Sequence, residues 1–419
     1  MIRAADVLLA AGAGDAAASV ELAWLASRCV PGAADVRASH LRFKPGRSVI
    51  GRLTGAGGVP IGWVAGYGPS AADKAERLVR AGDAAGITVS VLQLGGGHVL
   101  LAAPVGLDKR LRRRLRQTSL VRADGSLRGQ ALAYNPFRRL VLRRAATGSG
   151  EGSAQGDVVL KLSQASVAHV VPLTTALRSA GVPVLVPRPV PGHEQHLLEF
   201  EHYGTGDLST GASADDVAAA GDLLRRWHGA ADQVASAVDL PQVQVRARLE
   251  AVVSGVAGLM PESAEVAREA ARDLGMALER VAPEGGLVPV HGDFSADQLL
   301  RGANGLRVID PDRAAWGSAG WDVGSFVAAS LLADGAEPGI AAGAALLDGY
   351  GQASVAPAYV GAHIFLRALE PFRAAHAGWR GLVAERLRVA ARCAAAPADA
   401  PLAALAEATA ELRQPGWLS

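Results

Sequence analysis

The sequence predicts an α+β protein, rich in strands up to Gly206 and helical beyond Asp322. Three observations predict it. Short apolar runs punctuated by Gly and Pro recur through the first part of the chain, which is the pattern of strands joined by turns. A set of those runs occurs twice in the same order. After Asp322 the chain reads as helices over 323–333, 339–350, 357–377, 380–395 and 401–413, separated by Gly and Pro.

Size and charge narrow the functional classes. A chain of 419 residues is too long for one ordinary core and predicts two or three units. Half of the residues are hydrophobic and a fifth are charged, the composition of a soluble globular protein. The 42 basic and 40 acidic side chains leave a net charge of +2, which excludes binding to nucleic acid or membrane driven by bulk charge. The one dense basic run, Lys109-Arg110-Leu111-Arg112-Arg113-Arg114-Leu115-Arg116, has leucines at helical spacing and reads as a solvated helix face. Cys29 and Cys393 form no disulfide framework, so the expected compartment is the cytoplasm. Asp6 and Asp15 break up the alanine-rich start, so no signal peptide is expected, and no uncharged apolar run approaches the roughly 18 residues of a membrane span.

Taken in order, residues 13–30 read as a helix, with Val20, Leu22, Leu25 and Cys29 near helical spacing. Leu41-Arg42-Phe43-Lys44-Pro45-Gly46-Arg47 then resembles Leu132-Ala133-Tyr134-Asn135-Pro136-Phe137-Arg138. Each is followed by a β-like run, a Gly-rich turn and a second run, over 61–67 and 158–162. Each copy adds a helix, over 71–81 and 166–180, and a hairpin that returns over 98–106 and 196–204. This repeated order predicts an internal duplication. The copies differ in charge. Lys161, one of only four lysines against 38 arginines, lies on Val158-Val159-Leu160-Lys161-Leu162, whereas Gly62-Trp63-Val64-Ala65-Gly66 has no cation. Glu199 and Glu201 likewise align with Leu101 and Ala103. The glycine-rich segment 148–156 reads as a flexible linker.

In the second half, Ser213 is an expected N-cap with Asp215 and Asp216 in the first helical turn, and the helix runs through Trp227-His228, where His228 is expected to be a packed helix-end histidine. Helices over 243–258 and 262–281 follow. The chemistry-bearing stretch comes next. It reads His291-Gly292-Asp293-Phe294-Ser295-Ala296-Asp297-Gln298-Leu299-Leu300, then Leu306-Arg307-Val308-Ile309-Asp310-Pro311-Asp312, then Trp321-Asp322. Two short apolar runs each end in a carboxylate, with an amide five residues after the first. Phosphoryl transfer needs such a set, because one carboxylate accepts the proton of an attacking hydroxyl while amide and carboxylate oxygens hold Mg²⁺ against the phosphates. Asp293 is then the base and Gln298 with Asp310 the metal ligands. Any single Asp here is also an ordinary strand-end residue; only the constellation is informative.

His291-Gly292-Asp293 with Gln298, Ile309-Asp310 and Asp322 resembles the catalytic loop and metal strand of the aminoglycoside phosphotransferase and choline kinase-like small-molecule kinases. Most members place Asn where this chain has Gln298, which is similar to the maltokinase-like members. The resemblance covers about residues 130–375 and implies a two-lobed protein kinase-like fold, with the N-lobe over 129–206 and a helical C-lobe over 207–419 with the acceptor pocket; the duplication then makes 1–128 a cap that is a degenerate copy of the N-lobe. It implies an ATP-dependent, Mg²⁺-requiring phosphotransferase acting on a hydroxyl of a sugar, amino sugar, aminoglycoside or related alcohol. Lys161 is then the ammonium on the nucleotide phosphates, Glu199, Phe200 and Glu201 belong to the adenine-reading hinge, and Asp322 accepts backbone hydrogen bonds from the catalytic loop.

Two expected features are missing or ambiguous. The helix over 166–180 contains no acid to pair with Lys161, which as a strand lysine also has the plainer reading of an edge residue whose ammonium reaches water. No Gly-rich phosphate loop occupies the turn Asn135-Pro136-Phe137-Arg138-Arg139, where Arg138 or Arg139 is either a phosphate contact or a surface residue of an ordinary turn. Glu370, Arg373, His376 and Trp379 have the character of acceptor-pocket residues and equally of a helix surface. The competing class is a nucleotide-binding pseudokinase or scaffold.

Overall fold

The computed structural model describes residues 6–8, 16–30, 35–45, 47–145, 156–281 and 286–412, so nearly all of the expected linker over 148–156 lies outside the described residues. The chain divides into two compact units assembled from separated stretches. The first is Met1–Val167, Arg188–His202 and Glu370–Trp379, and the second is Ala168–Pro187, Tyr203–Leu369 and Arg380–Ser419. Both expected β-rich regions therefore share one unit, and the helix expected to follow the second of them belongs to the other.

The first unit holds two antiparallel five-stranded sheets. One contains β1 (Arg37–Lys44), β2 (Ser48–Thr54), β3 (Pro60–Tyr67), β4 (Ser90–Leu94) and β5 (His98–Pro104), in the order β1-β2-β3-β5-β4. The other contains β6 (Gln130–Asn135), β7 (Arg139–Ala145), β8 (Asp157–Ser163), β9 (Arg188–Pro189) and β10 (Leu197–Glu201), in the order β6-β7-β8-β10-β9. The topologies are the same, and the first hairpin of each carries a bulge at a matching place, between Ser39 and Arg42 and between Ala131 and Ala133. Helices α1 (Ala16–Ser27), α2 (Ala72–Asp83) and α3 (Arg112–Gln117) accompany the first sheet. In α2 the apolar stripe Ala75, Leu78 and Gly82 is buried, at the spacing of one helix face.

The registers correct the alignment of the two copies. Ile50 opposes Ala65, which opposes Leu101, while Val141 opposes Lys161, which opposes Leu198. Lys161 thus matches Ala65, and Glu199 matches Ala102 rather than Leu101. The hairpins before β5 and β10 differ in length, so the sequence match slid by one residue, which exchanges the faces of a strand.

One core joins the two sheets, and they present opposite faces to it. The first contributes Ile50, Trp63, Ala65, Tyr67, Leu101 and Ala103; the second contributes Leu140, Leu142, Leu160, Leu162 and Leu197. Strand alternation then turns the Lys161 side of β8 away from this core. The turn between β6 and β7 is pinned into it. Phe137 takes a left-handed conformation (φ 63°), and its ring meets Trp63 edge-on with centroids 5.4 Å apart. The fully buried Asp108 accepts from Phe137 N and Tyr134 Oη, both at 2.7 Å, and from Arg110 N and Leu111 N, both at 2.9 Å, while Arg42 donates to the Pro136 carbonyl.

The second unit is mainly helical: α4 (Val170–Ser179), α5 (Ala214–His228), α6 (Ala231–Ala237), α7 (Val245–Leu259), α8 (Ala264–Arg280), α9 (Ala319–Asp334), α10 (Ala336–Tyr350) and α11 (Pro357–Leu366). Ser213 caps α5 through a reciprocal box with Asp216, its Oγ accepting from Asp216 N at 3.1 Å. Gly349 lets α10 cross α5 closely, since a Cβ there would lie 1.8 Å from the Ala218 carbonyl oxygen. Short strands β11 (Gly206–Asp207), β13 (Leu299–Gly302) and β14 (Gly305–Val308) form one sheet, and β12 (Val288–Val290) pairs with β15 (Ala315–Gly317).

The single helix expected over 357–377 is broken. α11 ends at Leu366, and the short α12 (Glu370–Arg373) belongs to the first unit. Pro371 is the cause: it has no N–H to give the Arg367 carbonyl four residues back, and that oxygen accepts instead from Arg386 Nη1 at 2.6 Å. Helices α13 (Trp379–Ala395) and α14 (Leu405–Thr409) complete the described chain, and none of the described helices is long and apolar enough to cross a membrane.

Asp108 is the critical polar group of the first unit. Replacing it with Ala leaves three backbone N–H groups and a phenol unsatisfied in an apolar core, which should cost about 3 kcal/mol or more of stability. Denaturant unfolding of wild type and Asp108→Ala measures it; a loss below about 0.5 kcal/mol would show that water takes over those donors.

Candidate active site

The site of the second unit is built on the buried carboxylate of Asp322, in the first turn of α9. Its oxygens accept from His291 N at 2.6 Å and Gly292 N at 2.8 Å, as the sequence led us to expect, and from His228 Nε2 at 3.1 Å. His228 is buried as expected, and its Nδ1 accepts from Tyr350 Oη at 2.8 Å. Burial, followed by the Asp322 charge, pushes the Tyr350 phenol up to about 12, so it remains a donor. A carboxylate only accepts, so His228 Nε2 carries a proton toward Asp322. Gly292 sits at φ 82°, and a Cβ there would fall 2.2 Å from the Arg313 carbonyl oxygen, so no side chain fits the turn that carries Asp293.

Gln298 and Asp310, the expected metal ligands, are joined to this loop through one residue, Ile309. His291 Nε2 donates to the Ile309 carbonyl at 2.8 Å, and Ile309 N donates to the Gln298 carbonyl at 3.0 Å. The residue before Asp310 is therefore held by both ends of the catalytic loop, and Asp310 itself adopts a left-handed conformation (φ 61°) ahead of Pro311. Gln298 Nε2 donates to Asp297 at 2.8 Å, which leaves Gln298 Oε1 buried with no hydrogen-bond partner. A buried orphan carbonyl is costly unless something accepts its lone pairs, and it is the hard oxygen donor that Mg²⁺ prefers. Among the described residues no trio of His, Cys, Asp or Glu side chains is placed to hold a metal.

Asp293 is partly exposed and flanked by arginines that the sequence reading missed. Arg313 Nη1 donates to its Oδ2 at 2.8 Å and Arg367 Nη2 to its Oδ1 at 3.4 Å. Arg367 also donates to Ser325 Oγ at 3.1 Å and to His363 Nδ1 at 3.2 Å. A guanidinium only donates, so His363 carries its proton on Nε2. Arg248, from α7, lies over the Trp321 ring at 5.5 Å and donates to the Gly292 carbonyl at 3.4 Å. Arg313 had one available signal, its place three residues after Asp310. Arg248 and Arg367 had none in a chain with 38 arginines.

The remaining expected residues lie in the first unit. Lys161 is 6% exposed on the interior strand β8, which rules out the plainer reading of an edge lysine. On the adjacent β10, Glu199 faces Leu160 and Arg188, Phe200 is buried and Glu201 is exposed opposite Val158. Arg138 is exposed in the pinned turn, its N–H donating to Asn135 O at 3.0 Å. The structure thus brings Lys161, Arg138 and Glu199–Glu201 together on one sheet, and Asp293, Gln298 and Asp310 around one loop. Glu370, Arg373, His376 and Trp379 fall in the first unit, where α12 packs on β1 and Trp379 is buried against Phe372.

A loop clamped by a buried acid, with a carboxylate at its tip and an amide beside a second carboxylate, defines a phosphoryl-transfer class of protein. The chain belongs to the phosphotransferase enzyme family, whose model matches residues 132–363, and it is a small-molecule kinase. Among solved structures it is similar to an amicoumacin kinase in complex with AMP-PNP, Ca²⁺ and Ami, at 13% identity over 70% of this chain and 94% of that one, with a TM-score of 0.51. It is also similar to the choline kinase of Streptococcus pneumoniae (13% identity, 69% and 99% covered, TM-score 0.45) and to a spectinomycin phosphotransferase in complex with ADP and spectinomycin (11%, 61% and 92%, 0.43). The family match and the amicoumacin kinase place the chain in the two-lobed kinase-like fold. No curated protein matches the sequence.

Burial, then Arg367, Arg248 and Arg313, hold the His363 imidazole well below its ordinary value of 6.5. The unfolded chain therefore takes up a proton that the folded chain refuses. Stability is fully present above the unfolded value and is lost as pH falls below it, by up to about 1.4 kcal/mol per pH unit. Unfolding measured from pH 7.5 to 5 should fall more steeply for wild type than for His363→Gln; equal slopes would mean that His363 takes its proton in the folded state.

Proposed function

We propose that the protein transfers the terminal phosphoryl group of ATP to a hydroxyl of a small molecule in the cytoplasm. The observation that carries this reading is the orphan Gln298 Oε1 beside a peptide that ties Asp310 to the catalytic loop. Asp293, at the tip of the loop clamped by Asp322, orients the acceptor hydroxyl and takes its proton. Gln298 and Asp310 are the residues that would hold Mg²⁺, which when bound neutralises charge on the phosphates. Lys161 supplies a further cation for the nucleotide phosphates and Arg138 a planar donor fork; main-chain groups of Glu199, Phe200 and Glu201 read the adenine edge. Little covalent work falls to the protein, because the transferring phosphoryl is loosely bonded to both oxygens and positioning with electrostatics dominates.

The first sheet fits a degenerate copy of the nucleotide-binding sheet, serving as a cap, since it shares strand order and bulge but has Ala65 where the second has Lys161. Free, buried Cys29 and Cys393 fit a reducing compartment. Similarity to an amicoumacin kinase, a choline kinase and a spectinomycin phosphotransferase supports a small hydroxylated acceptor as the class.

A nucleotide-binding scaffold is the second reading, favoured by the absence of any acid on α4. Asp293→Ala should lower transfer by at least about a hundredfold while sparing nucleotide binding. Asp310→Ala should also weaken the stabilisation that ATP with Mg²⁺ gives in thermal melts. Equal turnover by wild type and Asp293→Ala would remove the mechanism, and ATP binding without turnover across a broad acceptor panel would favour the scaffold.

A further inference from the structure

Gln298 ends a short 3₁₀ turn, Ala296–Gln298, whose main chain is pinned on every side. Gln298 N donates to the Ser295 carbonyl at 3.0 Å and Ile309 N to the Gln298 carbonyl at 3.0 Å, while Leu208 N donates to the carbonyls of Ala296 and Leu299 at 3.2 and 3.1 Å. These bonds set where the side chain starts and leave open how its amide is turned. The two ends of an amide have nearly the same shape, so turning it over exchanges an oxygen that attracts a cation for an NH₂ group that repels one. Gln298 Oε1 is buried with no hydrogen-bond partner, so no group bonded to the oxygen chooses between the two orientations. The choice is made at the nitrogen. Nε2 donates to Asp297 Oδ2 at 2.8 Å, and because an ionised carboxylate only accepts, the reversed amide would set oxygen against oxygen.

Asp297 is itself held. Ser295 Oγ donates to its Oδ1 at 2.5 Å, which leaves Oδ2 for the Gln298 amide. Ser295 is buried at the start of the same turn, so the carboxylate is tied to a fixed point. Hydroxyl and amide nitrogen thus converge on one carboxylate, and the one polar atom of the set left without a bond is the oxygen that a hard cation would take.

We propose that Asp297, held by Ser295, is a positioning residue that turns the Gln298 amide so that its oxygen, and not its nitrogen, is offered to the metal of the Mg²⁺-nucleotide complex. This rests on the reading of Gln298 as a metal ligand. Asp297 acts through the amide and makes no contact with the metal. Losing a partner that orients a metal-binding side chain costs about 10- to 100-fold in metal affinity.

Calorimetry of the full chain with a non-hydrolysable ATP analogue, in Mg²⁺ and in EDTA, isolates the gain in nucleotide affinity that the metal supplies. Asp297→Ala should cut that gain by about tenfold or more, and should leave unchanged both the affinity in EDTA and the melting temperature of the free protein. Ser295→Ala, which loosens the carboxylate without removing it, should cut the gain by less. Gln298→Ala should lose at least as much as Asp297→Ala, and the double variant no more than Gln298→Ala alone, because the two residues act as one unit. A loss in Gln298→Ala with none in Asp297→Ala overturns the proposal and keeps Gln298 as a ligand. Losses that add in the double variant overturn it as well, since Asp297 would then act on the metal by itself. No loss in Gln298→Ala, or no gain from Mg²⁺ in the wild type, removes the metal reading of Gln298 and this proposal with it.

Discussion

Everything around the catalytic loop depends on one buried carboxylate. A charge with no exposure to water persists only if its lone pairs are taken, and Asp322 has two backbone N–H groups and an imidazole to take them. Satisfying it bends the chain at His291 and Gly292. The bend has two consequences that no single residue produces alone. It carries Asp293 to the loop tip, and it sends the His291 ring between Trp227 and Phe294 to reach the Ile309 carbonyl, which fixes the peptide ahead of Asp310. The proton-accepting side and the metal side of the proposed site are thus set by the same acid, with His228 and Tyr350 bracing it from two further helices.

This part of the molecule was legible because it is local. Asp293, Gln298, Asp310 and Asp322 lie within one continuous stretch, and their types and spacing are those a phosphoryl-transfer loop requires. The succession of strands in the first unit was legible too, since turns and apolar runs repeat in sequence. Illegible features all needed a partner distant in the chain. Pro371 is plain in the sequence, yet the break it enforces at Arg367 depends on Arg386 arriving to take the freed carbonyl. Asp108 resembled any loop acid until Tyr134 and Phe137 converged on it. Arg248 and Arg367 were two among 38 arginines, and the pairing of Glu199 with Ala102 turned on a hairpin length that similarity alone does not fix.

The opposite presentation of the two sheets explains why β3 has Ala65 where β8 has Lys161. In the second sheet Leu160 and Leu162 enter the shared core, so Lys161, between them, projects from the other face. In the first sheet it is the matching face, with Trp63, Ala65 and Tyr67, that enters the core. A lysine at Ala65 would bring an ammonium into a cluster of Leu, Phe and Trp side chains, a cost of several kcal/mol for a charge taken from water. The small apolar side chain is therefore what the packing of the first sheet demands, and the same packing seats Phe137 and the Asp108 bonds at the turn that bears Arg138. β3 has no cation at Ala65 because that face packs into the shared core, and the residue at that turn whose backbone is strained, Phe137, is the one the core holds.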